Sequence, residues 1–98
     1  GDMKIELIKK ETEYKFDERW LCVEVWVTNT SNTPLFPVKL DALEDRTLSQ
    51  ASDNYFFLGV GEKRHIIINI RVKDPVLDAV TLNASAWNCT EKNISIRI

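Results

Sequence analysis

Apolar residues occupy every second position between residues 21 and 27, namely Leu21, Val23, Val25 and Val27. Side chains of an extended strand point alternately to its two faces, so this period places all four on one face, whereas a helix would scatter them. Valine also suits a strand better than a helix, because its branched Cβ is crowded against the preceding helical turn. The stretch is therefore predicted to be a β-strand buried on one side, ending at the turn-forming residues 29–34.

The same alternation recurs along the chain and predicts about seven strands, the first at a sheet edge. They cover residues 3–10, 20–28, 35–43, one or two short segments within 47–58, 63–72, 80–88 and 93–98. Residues 11–19 predict a loop or a short continuation of the first strand, and residues 89–92 predict the turn of the last hairpin. Strands that are apolar on one side must bury that side against a second sheet. The predicted fold is an all-β, immunoglobulin-like antiparallel sandwich.

Length and charge restrict the class of protein. Ninety-eight residues are enough for one domain and too few for two. The 13 basic and 15 acidic residues are interspersed, which argues against a nucleic-acid partner because such a partner requires a clustered basic excess. No segment has the roughly 18 apolar residues of a membrane span. Since the chain starts with glycine and enters a strand pattern at once, we expect residues 1–98 to be one domain excised from a longer protein.

The two cysteines invite comparison with the disulfide that joins the sheets of immunoglobulin domains. Alternation places Cys22 on the outer face of its strand, because its neighbours Leu21 and Val23 face the core. The same argument places Cys89 on the outer face of the run 80–89, because the even-numbered residues from Val80 to Ala86 face the core. Outward cysteines on opposite sheets cannot approach to the Cα separation of about 7 Å that a disulfide requires. The sequence therefore predicts two free thiols.

Residues with catalytic or metal-binding chemistry do not form a motif. His65 is the only histidine, and alternation places it on the solvent side of its strand, whereas a zinc site needs several converging ligands. The sequence contains no nucleophile elbow. The acidic pairs at 17–18 and 44–45 lie in turns, where solubilising charges are a simpler interpretation than glycosidic acid and base catalysis. No catalytic, metal-binding or cofactor-binding residue is predicted.

Outward aromatic side chains are the candidates for an interface or ligand surface. Alternation directs Trp26 and Trp87 outward, and Trp20, Tyr55 and Tyr14 are expected near the surface. Such residues can pack on a neighbouring domain of a parent protein, be covered by local loops, or form a flat platform for a sugar. All three interpretations stay open, with Trp20, Trp26, Tyr55 and Trp87 as the residues concerned.

Two segments read together resemble the C-terminal immunoglobulin-like domain of β-mannosidases and related exo-acting enzymes of glycoside hydrolase family 2. They are the strand end Val25–Ser31, with the sequence VWVTNTS, and the later segment Ala51–Glu62, with the sequence ASDNYFFLGVGE. In the family, a V-T-N-T-S-like strand end precedes an S-D-N-Y-F-D-L-L-P-G-E-like segment and then a strand. Phe57 stands here where the family has an acid, and Val60 stands where it has a proline.

The residue types of the second segment predict structural roles for four of its side chains. Asp53 and Asn54 are expected to bond nearby backbone groups in a turn. Phe56 and Leu58 share a face and are expected to plug one end of the sandwich.

The resemblance implies an accessory role, since the catalytic carboxylates of those enzymes lie on a separate barrel domain and none can be assigned to this chain. The expected function is support of that barrel, with the neighbouring domains of the parent polypeptide as partners and with export from the cell if the source is bacterial. Two other classes stay open. One is a bacterial cell-surface adhesion module, because adhesion modules share strand ends of the V-x-N-T type before a G-E turn. The other is a carbohydrate-binding module.

Overall fold

The computed structural model describes residues 1–98 as two four-stranded antiparallel sheets. The eight strands are β1 (Met3–Lys15), β2 (Glu18–Asn29), β3 (Leu35–Ala42), β4 (Thr47–Ala51), β5 (Phe56–Leu58), β6 (Lys63–Val72), β7 (Ala79–Ala86) and β8 (Cys89–Arg97). Sheet I has the order β1-β2-β6-β4, and sheet II has the order β5-β3-β7-β8. Sheet I matches the A-B-E-D order of an immunoglobulin sandwich, and β3, β7 and β8 match its C, F and G strands. The predicted fold is confirmed. No helix in it is long and apolar enough to cross a membrane.

The core lies between the sheets and contains 18 buried apolar residues. The alternating residues of β2 from Leu21 to Val27 are at most 1% exposed, and those of β6 from Ile66 to Val72 are at most 2% exposed. Sheet II supplies the opposite layer, which includes Val38, Leu40 and Leu82. Burial of one Val, Leu or Ile side chain contributes about 1.5–3 kcal/mol. Burial of these alternating side chains therefore dominates the stability of the fold.

The first hairpin is long because residues 11–15 continue β1 alongside the start of β2. Of the two interpretations of residues 11–19, the strand continuation is thus the observed one. The turn at its tip consists of Phe16 and Asp17, whose φ angles of 52° and 62° are those of a type I′ turn. A register shift at Ile8 marks a β-bulge within β1.

Strand β1 lies at the edge of sheet I, as predicted, and its outer face is charged. Lysine and glutamate two positions apart form ion pairs along it, Lys4 with Glu6, Lys9 with Glu11, and Lys15 with Glu13. Exposed ion pairs contribute at most about 1 kcal/mol each. Charges along an edge strand also oppose its pairing with a strand of another molecule.

Residues 47–58 form two short strands that belong to different sheets. Strand β4 pairs with β6 in sheet I, whereas β5 pairs with β3 in sheet II. Phe56 is 5% exposed and Leu58 is fully buried, so the expectation that they plug the sandwich is confirmed. The chain then turns at Gly61, whose φ of 73° lies in the left-handed region that glycine adopts without strain.

The last hairpin differs from the prediction. Its turn consists of Trp87 and Asn88, and β8 begins at Cys89, so the turn predicted at residues 89–92 is wrong. Directly opposed residues of an antiparallel pair share a face. Cys89 lies opposite Ala86 and packs with it against the core. The prediction that Cys89 points outward is therefore also wrong.

Candidate functional site

The four aromatic residues singled out from the sequence lie on two opposite faces of the sandwich. Trp20 and Trp26 are on the outer face of sheet I, where they pair with Arg71 and His65 of β6. Tyr55 precedes β5, and Trp87 is in the β7–β8 turn, so both belong to the side of sheet II. The structure therefore divides them between two surfaces.

Trp26 points outward, as alternation predicts, but local side chains cover it. The Lys63 ammonium lies 4.5 Å from its ring centroid, which is a cation–π distance. The His65 ring meets its edge at a centroid distance of 5.3 Å and an angle of 61°. Nε2 of His65 is in turn 3.2 Å from a carboxylate oxygen of Glu24. Partial cover by neighbours is thus the interpretation that the structure supports for Trp26.

Trp20 lies beside a fixed arginine and has a free donor. The Arg71 guanidinium carbon is 5.8 Å from its ring centroid, and Glu18 holds this guanidinium through two hydrogen bonds. This pairing lowers the pKa of Glu18 and raises that of Arg71. The indole Nε1 of Trp20 is buried and has no hydrogen-bond partner. Packing alone therefore fixes the orientation of the ring.

Three adjoining depressions run along the outer face of sheet I around Trp20, with volumes of about 320, 370 and 180 Å³. The first two share Trp20, Gln50 and Asn69, and the first and third share Glu11 and Cys22. We call them together the Trp20 groove, defined by these five residues. Four of the five, all but Trp20, form one cross-strand row through the whole sheet.

Charges around the groove are paired with one another. Lys9 is 3.0 Å from Glu11, and Lys15 is 3.1 Å from Glu13. The Glu11 carboxylate raises the pKa of Lys9. Burial raises the pKa of the Cys22 thiol, and the nearby glutamates raise it further. Since only a thiolate is an effective nucleophile, the raised pKa slows reactions of Cys22 at neutral pH.

The side of sheet II carries four exposed aromatic residues, Phe36, Tyr55, Phe57 and Trp87, which we call together the exposed aromatic surface. The rings of Phe36 and Phe57 are 6.4 Å apart and tilted by 44°, and the Lys39 ammonium lies 6.0 Å from the Tyr55 ring. Trp87 is 89% exposed. Sequence reasoning missed both phenylalanines, although Phe57 lies between two inward residues of β5 and alternation could have placed it outside.

The two segments that carry the family resemblance are joined by hydrogen bonds through Asn29. Its Nδ2 donates to the carbonyl of Leu58 at 3.0 Å, and its backbone N–H donates to the carbonyl of Glu62 at 2.9 Å. Its Oδ1 accepts from the backbone and the hydroxyl of Ser31. Asn29 is 1% exposed. Because β2 belongs to sheet I and Leu58 to sheet II, Asn29 ties the two sheets together at this end.

Asp53 and Asn54 bond differently from the expectation of short-range turn contacts. Asp53 forms an ion pair with Arg64 of β6. The side-chain oxygen of Asn54 accepts a hydrogen bond from the backbone N–H of Leu40 at 2.8 Å. Both side chains thus connect the loop before β5 to strands remote in the sequence.

Two of the four acidic residues considered from the sequence have structural partners. Glu18 binds Arg71, and Glu44 accepts a hydrogen bond from the backbone N–H of Thr81 at 2.5 Å. The interpretation of these two glutamates as merely solubilising charges is therefore wrong. His65 is exposed on the outer face, as predicted. The structure holds no group of three or more His, Cys, Asp or Glu residues that could bind a metal ion.

Both cysteines are free thiols, as predicted. Cys22 lies on the outer face of sheet I, whereas Cys89 packs against the core on the side of sheet II. Burial raises the pKa of the Cys89 thiol as well.

Comparison with protein-family models, with curated proteins and with solved structures found no match.

Proposed function

We propose that this chain is a non-catalytic immunoglobulin-like accessory domain of a glycoside hydrolase similar to the β-mannosidases, and that it packs against the catalytic barrel of that enzyme. One observation carries the proposal. The two segments that resemble the family are not merely neighbours in sequence order but bond to each other through the buried Asn29. A resemblance confined to two segments that form one structural unit is more informative than two separate short matches.

The exposed aromatic surface is the part of the domain that we assign to the barrel. Its four rings are 54%, 62%, 53% and 89% exposed in chain order. At about 200 Å² for each aromatic side chain, roughly 500 Å² of ring surface stays accessible. The rings of Phe36 and Phe57 adjoin at 6.4 Å, and exposed apolar patches are often functional. Interfaces between domains of one chain bury about 600–1,500 Å², so these rings can supply a large part of one side.

The first test is the coding sequence on either side of residues 1–98. A family 2 barrel upstream supports the proposal. Tandem sandwich repeats or a cell-wall anchor would replace it with the cell-surface interaction module that the V-x-N-T strand end also allows.

The second test uses the parent polypeptide with Phe57→Ser and Trp87→Ser together. Truncating a central interface aromatic costs about 2 kcal/mol or more, which corresponds to about 4–8 °C in the unfolding temperature of a domain of 150–250 residues. We therefore expect the barrel to unfold at lower temperature and hydrolysis of 4-nitrophenyl β-mannoside to be lost earlier on heating.

The matched control is Tyr14→Ser, because Tyr14 is 76% exposed but lies on the β1–β2 hairpin away from the aromatic surface. It should leave the parent unchanged. The isolated domain carrying the double substitution should keep its own unfolding temperature. Equal behaviour of the double variant and the control in the parent would refute docking through this surface.

A further inference from the structure

We propose that the Trp20 groove is a binding site for a neutral oligosaccharide. The inference goes beyond the accessory role and does not depend on it, because a sugar-binding sandwich can belong to an enzyme, to a cell-surface protein or to an independent module. It rests on the shape, the charge and the hydrogen-bonding groups of the groove.

The shape of the groove suits an extended ligand. The two larger depressions, about 320 and 370 Å³, each reach the lower end of the range of small-molecule sites, which is about 300–1,000 Å³. Both are lined by Trp20 and share the amide side chains of Gln50 and Asn69. A chain of linked sugar units can occupy adjoining depressions, whereas a compact molecule fills only one.

The charges around the groove favour a neutral ligand. Glu11 and Glu13 are paired with lysines at 3.0 and 3.1 Å, and Arg71 is held by Glu18. An anion would find no unpaired cation among these side chains, and a cation would find no unpaired carboxylate in the two larger depressions. In the third depression the Glu24 carboxylate lies 3.2 Å from His65 Nε2. A neutral ligand leaves all three ion pairs intact.

The groups without a partner are those that hydroxyls can use. The side chains of Gln50 and Asn69 face each other across β4 and β6, and both are exposed. Neither side-chain amide forms a hydrogen bond with the protein. The side-chain hydrogen bonds nearby are made by Ser49, Ser52 and Arg71 instead. Each amide offers two donors and an acceptor, which matches sugar hydroxyls, because these both donate and accept.

Trp20 supplies the apolar surface that such a site needs. Its ring lines both larger depressions, and its indole N–H has no acceptor in the protein. Because packing holds the ring in place, it presents a fixed apolar surface to a ligand. Leu48, which is 55% exposed, extends the apolar wall.

The test is titration of the 98-residue chain with mannotetraose and with cellotetraose, followed by tryptophan fluorescence and calorimetry. Saturable binding of at least one of them is expected. The double variant Gln50→Ala with Asn69→Ala, whose side chains are exposed and unbonded, should keep the unfolding temperature and weaken binding about tenfold or more, because it removes two or more hydrogen bonds. Trp20→Ala should abolish the fluorescence change.

Trp26→Ala is the matched control, because Trp26 lies on the same face of the same strand but outside the groove. It should bind the sugar as the unmodified chain does. Trp87→Ala tests the opposite face and should also bind normally. The proposal is overturned if neither sugar binds at concentrations up to about 10 mM, because any binding free energy would then be weaker than roughly 3 kcal/mol. It is equally overturned if binding survives the amide double variant unchanged, or is lost with Trp87→Ala. None of these outcomes bears on docking to a barrel, which is measured in the parent polypeptide.

Discussion

Replacing Asn29 with alanine removes the side chain that joins sheet I to sheet II at one end of the sandwich. Four hydrogen bonds are lost, to the carbonyls of Thr33 and Leu58 and from the N–H and hydroxyl of Ser31, with distances between 2.6 and 3.0 Å. The Asn29–Leu58 hydrogen bond is buried, so in the variant the Leu58 carbonyl loses a partner that water replaces poorly. A stranded buried group costs about 1–3 kcal/mol, and each more exposed bond contributes about 0.5–1.5 kcal/mol. We expect a total loss of about 2.5–7.5 kcal/mol.

That loss is large for a domain of this size, whose free energy of unfolding is expected to be about 5–15 kcal/mol. Urea unfolding followed by tryptophan fluorescence measures it directly. The unfolding temperature should fall by about 10 °C or more, at about 4–8 °C for each kcal/mol in a domain of this size. Asn32→Ala is the control, because Asn32 lies in the same loop but is exposed. If both variants unfold within about 0.5 kcal/mol of each other, which is the usual range for surface substitutions, the assigned role of Asn29 is wrong.

Three further predictions concern the first hairpin and the outer face of sheet I. Phe16→Asn with Asp17→Gly should raise the free energy of unfolding by roughly 1 kcal/mol and therefore raise the urea midpoint, because asparagine and glycine suit a type I′ turn and Phe16 is 93% exposed. An unchanged or lower midpoint would contradict the turn assignment. The pKa of Glu18 is lowered from 4.5 by Arg71, so its stabilising effect is present above pH 4.5 and lost as the pH falls through the lowered value. Unfolding of Glu18→Gln should therefore depend less on pH in that acidic range, and an identical pH profile would contradict the ion pair. Finally, the raised pKa of Cys22 predicts that iodoacetamide modifies it more slowly at neutral pH in the folded chain than in urea, as peptide mass mapping would show; equal rates would contradict it.

Alternation predicted the core well where the backbone is regular. The alternating residues 21–27 of β2 and 66–72 of β6 are buried as expected, and β6 has the predicted bounds of Lys63 and Val72. These strands are central in sheet I and are paired on both sides. A regular ladder keeps the period of two, so the sequence pattern and the burial pattern coincide there.

Alternation failed where the chain reverses or extends beyond the core. The turn at Trp87 and Asn88 carries neither glycine nor proline, so residues 89–92 resembled a turn more closely. Residues 11–15 lack apolar alternation because that part of β1 is exposed on both faces. Asn29 was read as a turn former, and its burial depends on Leu58 of the other sheet, which no local pattern reveals.

The two candidate surfaces differ in how much of them the sequence could predict. The aromatic surface of sheet II consists of exposed rings, and alternation identifies outward residues strand by strand. The row of Glu11, Cys22, Asn69 and Gln50 in the Trp20 groove draws one residue from each of four strands. Only the register between the strands brings them together.

The bulge at Ile8 is the feature on which that register depends. Met3 and Ile5 face the core from odd-numbered positions of β1. Uninterrupted alternation would therefore turn Lys9, Glu11 and the residues at odd positions after them toward the inner side. The register shift at Ile8 sets Glu11 opposite Cys22 instead, on the outer face. One additional residue thus turns Lys9 and Glu11 to the outer face, which places a carboxylate in the groove, and sets Lys10 opposite the inward Val23 instead. This is expected of a bulge, which redirects the side chains beyond it.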